Sequence, residues 1–316
     1  MDNPLVSIIT PSYNQEEFLE ETILSVINQD YPNIEYIVID GASTDSSVEI
    51  IKKYEDKITY WESNPDNGQS DAINKGFALA NGTYVGWINS DDYYLPGAIK
   101  SAVREFKNCE SCGIVFADVL AVDRYGKILN LLRYGDWGLR ELLQFTIIGQ
   151  PSVFMRNDIL KQAGYLEKEF DYMLDHNLWI KMASLAEMKY TQETWSAARY
   201  HDDAKNISKA ASFGQEAFKV VEWIEKQEDL NQYYHQDKNK IVSGAHWINA
   251  RYLSEAGEYR RSFLSYLKCF FLNPLRVIKD WKRFIYTLFA LFGVRNIQKL
   301  YTKIQYKRYN HISKDF

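Results

Sequence analysis

Between residues 5 and 88, four short apolar runs alternate with helical segments. Leu5–Thr10, Tyr36–Ile39, Ile58–Trp61 and Tyr84–Ile88 read as strands. A strand that is apolar on both faces has to be covered on both. The alternation therefore predicts an α/β fold, a doubly wound, mostly parallel sheet with flanking helices. Asn14 with Glu17 three residues on has the pattern of a capping box and predicts a helix to about Asn28. Ser43 or Thr44 is the expected cap of a second helix ending at Tyr54, and Asp71 to Ala80 is a third that stops at Asn81-Gly82. In such a sheet the strand ends at Pro11–Asn14, Asp40–Ser43 and Asn89–Asp92 converge on one edge, where α/β proteins bind ligands.

The fourth strand runs straight into Asn89-Ser90-Asp91-Asp92. Paired carboxylates at the end of a buried strand are costly unless a cation neutralises them. Adjacent oxygen ligands suit a hard divalent ion that in turn holds phosphates. The competing reading is that Ser90 or Asp91 caps the next helix, expected over Pro96 to Phe106. Neither G-x-G-x-x-G nor G-x-x-x-x-G-K-[ST] occurs, which argues against a dinucleotide oxidoreductase and a P-loop enzyme.

After residue 113 the strands shorten: Ile114–Ala117, Lys127–Leu132, Ser152–Met155 and Lys189–Thr191, with helices at Asn157–Ala163 and Asp175–Leu185. From Ala204 the chain reads as amphipathic helix, and Ala256 to Pro274 has the look of one helix-hairpin unit. The expected division is 1–203, with a nucleotide-binding half to about 110, and a helical region 204–316. Residues 251–316 hold 14 Lys and Arg against 4 Asp and Glu, which leaves 23 against 38 for the rest. A basic tail in which Trp281-Lys282-Arg283-Phe284 and Tyr301-Thr302-Lys303-Ile304 mix charge with apolar groups suits an anionic membrane surface. The alternative is a helical appendage packed on its own domain. Nucleic acid is disfavoured, because the acidic body repels phosphates.

No run of about 18 uncharged apolar residues occurs, and Met1-Asp2-Asn3-Pro4 lacks the features of a signal peptide. Three cysteines make no disulfide framework and fit a reducing, cytoplasmic compartment. Cys109-Glu110-Ser111-Cys112 has redox or half-zinc spacing without a second pair.

Taken in order, these motifs resemble family-2 glycosyltransferases of the GT-A fold over roughly residues 4–202. Thr10-Pro11-Ser12-Tyr13-Asn14 is similar to the family's first nucleotide loop, and Ile39-Asp40-Gly41-Ala42-Ser43-Thr44-Asp45 to the second. Asp66 to Asn74 stands at the third stretch, and Asn89-Ser90-Asp91-Asp92 at the DxD-like motif. Asp175-His176-Asn177-Leu178-Trp179 resembles the segment of the catalytic base, and His201 stands where many relatives place a late metal-binding histidine. Two departures stand out. Gly41 replaces an aspartate that commonly reads uracil, which puts UDP in doubt, and Asp71 stands where many relatives have an arginine.

The resemblance implies an inverting, hexosyltransferase-type enzyme that moves a sugar from a nucleotide-sugar donor to a glycan or lipid-linked glycan acceptor in surface polysaccharide biosynthesis. Pro11 and Tyr13 would lie against the base, and Asp40, Gly68, Asp71 and Asp91 would line the nucleotide sugar. Asp92 and His201 would hold Mn²⁺ or Mg²⁺, Asp175 would act as base, and Gln150 would face the acceptor. Each has a plainer reading. Asp175 is also a good first-turn helix acid, His201 a solvated loop histidine, Gln150 part of a strand-entry turn, and Asp40 a support for its own loop. Trp87, Tyr93, Tyr94 and Trp179 lie near the motifs and suit sugar stacking, although Trp87 and Trp179 fit core periodicity better. The expected place of the enzyme is cytoplasmic, peripheral at the inner face of the membrane. The rivals are a non-catalytic sugar-nucleotide-binding scaffold or sensor at the membrane and a sugar-1-phosphate nucleotidyltransferase. The latter needs a glycine-rich basic loop that Pro11–Asn14 does not supply.

Overall fold

The computed structural model describes residues 3–201 and 209–293. Contacts divide the chain into two units: residues 1–127, 131–138 and 148–199, and residues 128–130, 139–147 and 200–316. The first carries the strands β1 (Val6–Ser12), β2 (Ile34–Asp40), β3 (Tyr60–Ser63), β4 (Tyr84–Trp87), β5 (Tyr93–Tyr94), β6 (Cys112–Asp123), β8 (Val153–Arg156) and β9 (Glu187–Tyr200). With β7 (Ile128–Leu132) paired on β6, they form one sheet in the order β3-β2-β1-β4-β8-β6-β9-β5. The first four strands are parallel, as their apolar runs predict. β8 then runs antiparallel to β4 and β6, so the sheet is mixed beyond that point.

Register explains why the loops meet. Ser12 pairs with Asp40, so β1 and β2 end level, and Ile9 pairs with Trp87, so Asn89–Asp92 arrives beside that same edge. Six helices belong to this unit: α1 (Leu19–Ile27), α2 (Ser47–Lys53), α3 (Gln69–Leu79), α4 (Ala98–Lys107), α6 (Asn157–Ala163) and α7 (Leu174–Leu185). Leu19, Ile23 and Val26 of α1 and Ile99, Val103 and Phe106 of α4 close over Ile8, Val38 and Val115 of the sheet. Each such side chain removed from water contributes about 1.5–3 kcal/mol.

Several expected caps fail. α1 begins at Leu19 with Phe18 as its cap, and no side chain bonds there. The carboxylate of Glu17 is instead taken by the Arg124 guanidinium at 2.8 and 2.6 Å. Ser46, not Ser43 or Thr44, precedes α2. α4 starts after Gly97, so neither Ser90 nor Asp91 caps it.

The second unit holds α5 (Leu139–Leu143), α8 (Ala210–Lys226), α9 (Glu228–Glu255), α10 (Tyr259–Leu272), α11 (Pro274–Lys279) and α12 (Trp281–Leu291). The expected hairpin lies at α9–α10, turning at Gly257. Ala250, Tyr266, Cys269 and Val277 form its core, with Trp247 and Phe284 packed on it. Arg251 and Arg276 lie 4.5 and 4.4 Å from the Trp247 ring, so part of the basic tail is structural rather than solvated. Tyr301–Ile304 lies outside the described residues.

His246, stacked edge-on to Phe218 at 4.9 Å, has its pKa pushed down to about 4 by burial and by Lys268. An unfolded histidine titrates near ~6.5. The unfolded chain therefore takes up a proton first as pH falls, and this unit is expected to lose stability between about pH 6.5 and 4. Thermal melts across that range check it. His246→Gln should flatten the dependence, and an unchanged slope would refute it.

Candidate active site

The loops after β1 and β2 are zipped together by short side chains. Asn14, at φ +51°, receives no helix; its Oδ1 accepts the Thr44 N–H at 2.8 Å, and its own N–H donates to Ser43 Oγ at 2.8 Å. Gln15 N–H donates to Ser47 Oγ, Glu16 N–H to Asp45 Oδ2, and Ser46 N–H back to Glu16 Oε2. Asp40 is fully buried. It accepts the Ser43 N–H at 2.8 Å, Ser43 Oγ at 2.5 Å and Ser63 Oγ at 2.6 Å. These bonds hold the loop. Pro11 is buried within β1, whereas Tyr13 is 61% exposed and presents an aromatic face at the sheet edge.

Gly41 lies between that face and the third loop. A Cβ added there would meet Asp66 Oδ2 at 2.8 Å and Tyr13 Cδ2 at 3.4 Å. The carboxylate of Asp66 thus fills the space that a side chain at position 41 would enter. In the sequence Asp66 is one residue of the third motif stretch; the signal that singles it out is the glycine opposite. Asp66 Oδ1 also accepts the N–H of Gly68, whose φ of +104° lies where glycine is favoured, and α3 starts from there. Asp71, in the first turn of α3, pairs with Lys168 Nζ at 2.5 Å, which lowers its pKa. The cation absent from position 71 is present one side chain away.

The acid motif is centred on two residues that the sequence did not single out. Asn89 Oδ1 accepts Trp87 Nε1 at 3.1 Å and Gln69 Nε2 at 3.0 Å, while its Nδ2 donates to Gln150 Oε1 at 3.0 Å. Gln150 in turn donates to the Trp87 carbonyl at 2.8 Å, so Gln150 is locked against the acid loop. Arg199, buried near the end of β9, donates its backbone N–H to Asp92 Oδ1 at 2.9 Å and its Nε to the Asp91 carbonyl at 3.0 Å. Its guanidinium reaches the Arg124 carbonyl at 3.0 Å and Glu21 Oε2 at 2.5 Å, and covers the rings of Phe18 and Tyr93. One side chain therefore ties the acid loop to α1 and to the end of β6.

Asp92 is buried, and burial, followed by the adjacent charge of Asp91, holds its pKa well above the usual carboxylate range. A carboxylate in that position favours a proton or a cation. Adjacent carboxylates are the oxygen ligand type that hard divalent ions take. Asp175 lies half-buried in the first turn of α7, with Oδ1 accepting the His176 N–H at 2.7 Å. One turn on, Trp179 stacks on Trp87 of β4 at 5.7 Å, which fixes α7 to the strand that delivers the acids. Trp87, Tyr94 and Trp179 are buried and present no face to a sugar; Tyr93 is half-buried under Arg199. His201 is buried directly after β9.

The sequence profile of Glycosyl transferase family 2 matches residues 7–161. TuaG of Bacillus subtilis, a glycosyltransferase assigned to teichuronic acid biosynthesis, is 29% identical over 224 residues, 62% of this chain and 88% of its own. An uncharacterized glycosyltransferase of Rickettsia typhi is 30% identical over 209 residues, or 63% of this chain, and the match spans 65% of that relative. The fold matches a mannosyltransferase of Pyrobaculum calidifontis, solved with GDP-Man and Mn²⁺, at a TM-score of 0.60 and 16% identity, covering 99% of this chain and 89% of that one.

Proposed function

We propose that this chain, whose residues 7–161 match glycosyl transferase family 2, is a glycosyltransferase of that family that moves one sugar from a nucleotide-sugar donor to a glycan or lipid-linked glycan acceptor. The observation that carries this reading is the buried Asp92 beside Asp91, at the sheet edge where the zipped loops also present Tyr13. Tyr13 stacks on the base, above loops that Asp40 holds in place. Asp66, in the space opposite Gly41, supplies the carboxylate that reads the base edge. Gly68 and the Asp71–Lys168 pair lie along the same edge, and Asp91 takes the ribose or donor sugar. A Mn²⁺ or Mg²⁺ held by Asp92 would offset the charge that gathers on the leaving diphosphate. His201 is a second candidate ligand on its place in the chain alone.

An acceptor hydroxyl is a poor nucleophile until a positioned base takes its proton, and Asp175 is that base. The acceptor oxygen forms its bond to the anomeric carbon as the carbon–diphosphate bond breaks. The proton passes to Asp175, and the configuration inverts. Gln150, held by Asn89 and the Trp87 carbonyl, lines the acceptor side. The test is nucleotide release from a panel of UDP-, GDP- and dTDP-sugars with Mn²⁺, before and after chelation. Metal-dependent release from one donor supports the proposal. Binding without release, even with a membrane lipid extract as acceptor, would favour a non-catalytic sugar-nucleotide scaffold.

The acceptor is proposed to be membrane-borne, as suits a surface glycan assembled at the inner face. No helix among the described residues is long and apolar enough to cross a bilayer. Yet Phe271 is 81% and Leu275 67% exposed, Ile278 and Trp281 are exposed with them, and Lys279, Lys282 and Arg283 are interspersed. Apolar groups ringed by cations suit the headgroup boundary of an anionic leaflet. Truncation near residue 250 would cut α9 in two, so the full chain carrying Leu275→Asp, Ile278→Asp and Trp281→Asp is the better probe. Its sedimentation with anionic liposomes is expected to fall by at least ~10-fold, with donor turnover kept. Undiminished sedimentation would remove the membrane from the proposal.

A further inference from the structure

Cys109, just after α4, and Cys112, which opens β6, form a disulfide, where the sequence favoured reduced thiols. The structure adds a third group. The sulfurs and a carboxylate oxygen of Glu187, the first residue of β9, all lie within 4.8 Å of one another. The backbone holds them there. Cys112 N–H donates to the Cys109 carbonyl at 3.2 Å and Glu187 N–H to the Ser111 carbonyl at 3.3 Å, while Ser111 Oγ donates to Glu187 Oε2 at 2.7 Å. A Cβ on Gly113 would meet Ala186 Cβ at 2.7 Å, so only glycine lets the two strand starts come this close.

We propose that in its reduced state this loop binds one thiophilic divalent ion of the Zn²⁺ class, through Cys109, Cys112 and Glu187. Two thiolates and one carboxylate are the ligand types Zn²⁺ favours, and three protein ligands leave a fourth, solvent position of the tetrahedron. The nearby Arg156 is engaged elsewhere: it donates to the Glu110 carbonyl at 2.8 Å and pairs with Asp158. Ser111 already orients the carboxylate, as ligand carboxylates generally require. Access is from one side: Glu187 is exposed and the half-buried Cys109 lines a cavity of about 540 Å³ together with Tyr84, Phe106 and Arg156, while Cys112 is buried behind them. The two states exclude each other. A dithiol reductant gives two electrons and two protons to the sulfur–sulfur bond and leaves as its own disulfide. Ion binding then expels both thiol protons. A disulfide oxidant reverses the exchange and releases the ion.

The test is titration of the full-length, reduced protein with Co²⁺, followed by thiolate-to-metal charge-transfer absorption. An ion at the Asp92 edge has no sulfur ligand and gives no such band, so failure here and failure of the transferase reading are separable. The expected result is one Co²⁺ per chain with that band, displaced by Zn²⁺ and absent from the oxidised protein. Cys109→Ser should abolish the band. Glu187→Gln, at an exposed position where folding is not at risk, should weaken affinity by about tenfold or more. Cys269→Ser, which changes the remaining thiol, should leave it intact. No band in reduced wild type, or one of full strength in Cys109→Ser, would overturn the proposal.

Discussion

Asp175→Asn is expected to lower turnover by ~10²–10⁴-fold while donor affinity stays within about twofold, the range for loss of a positioned base. The substitution is well controlled. Asn keeps the size and the oxygen that accepts the His176 N–H, so the start of α7 is retained. The lost charge at a helix N-terminus costs only about 0.3–1 kcal/mol. Trp179 on Trp87 continues to hold the helix against β4. Donor affinity by calorimetry and turnover by nucleotide release then separate binding from chemistry. Near-normal turnover would show that the proton goes elsewhere and that Asp175 is only a first-turn acid.

Asp92→Asn is expected to do two opposite things. Turnover should fall by ~10³-fold or more, because the carboxylate that would hold the cation offsetting the leaving diphosphate is lost. Stability without metal should rise, since a buried carboxylate beside Asp91 is costly as an ion and Asn is not charged. Asn can still accept the Arg199 N–H, so the loop should hold. Each kcal/mol so relieved would raise the melting temperature by roughly 2–4 °C. A variant both less active and more stable marks a residue kept for function at the expense of folding. One that is less stable and equally active would return Asp92 to the role of a structural acid.

Much of this edge was legible in the sequence, for physical reasons. β1, β2 and β4 are short, largely buried runs, so periodicity finds them within a residue or two, whereas β3, half-exposed and carrying Glu62 and Ser63, begins two residues later than expected. Asn157–Ala163 is helical over the expected span. The long strands were under-read. Only Lys189–Thr191 was expected of Glu187–Tyr200, because most of that strand is half-buried and carries Glu193 and Gln192 among its apolar residues. The caps failed for another reason. Asn14 and Glu17 have local capping chemistry, but Thr44 and Arg124 outcompete it, and these lie about 30 and 107 positions away. Arg199 is the clearest omission. Its partners at Glu21, Asp91 and Arg124 are brought together only by the finished sheet, so no spacing in the chain announces it. The CxxC pair was visible, but its third ligand at Glu187 was not.

The most direct measurement is Mn²⁺ binding by electron paramagnetic resonance, with and without nucleotide sugar, in wild type, Asp175→Asn and Asp92→Asn. Wild type and Asp175→Asn should retain Mn²⁺ in the presence of the correct donor, and Asp92→Asn should lose it by ~100-fold or more. Equal retention by Asp92→Asn would contradict the assignment of the acid edge as the metal–diphosphate site.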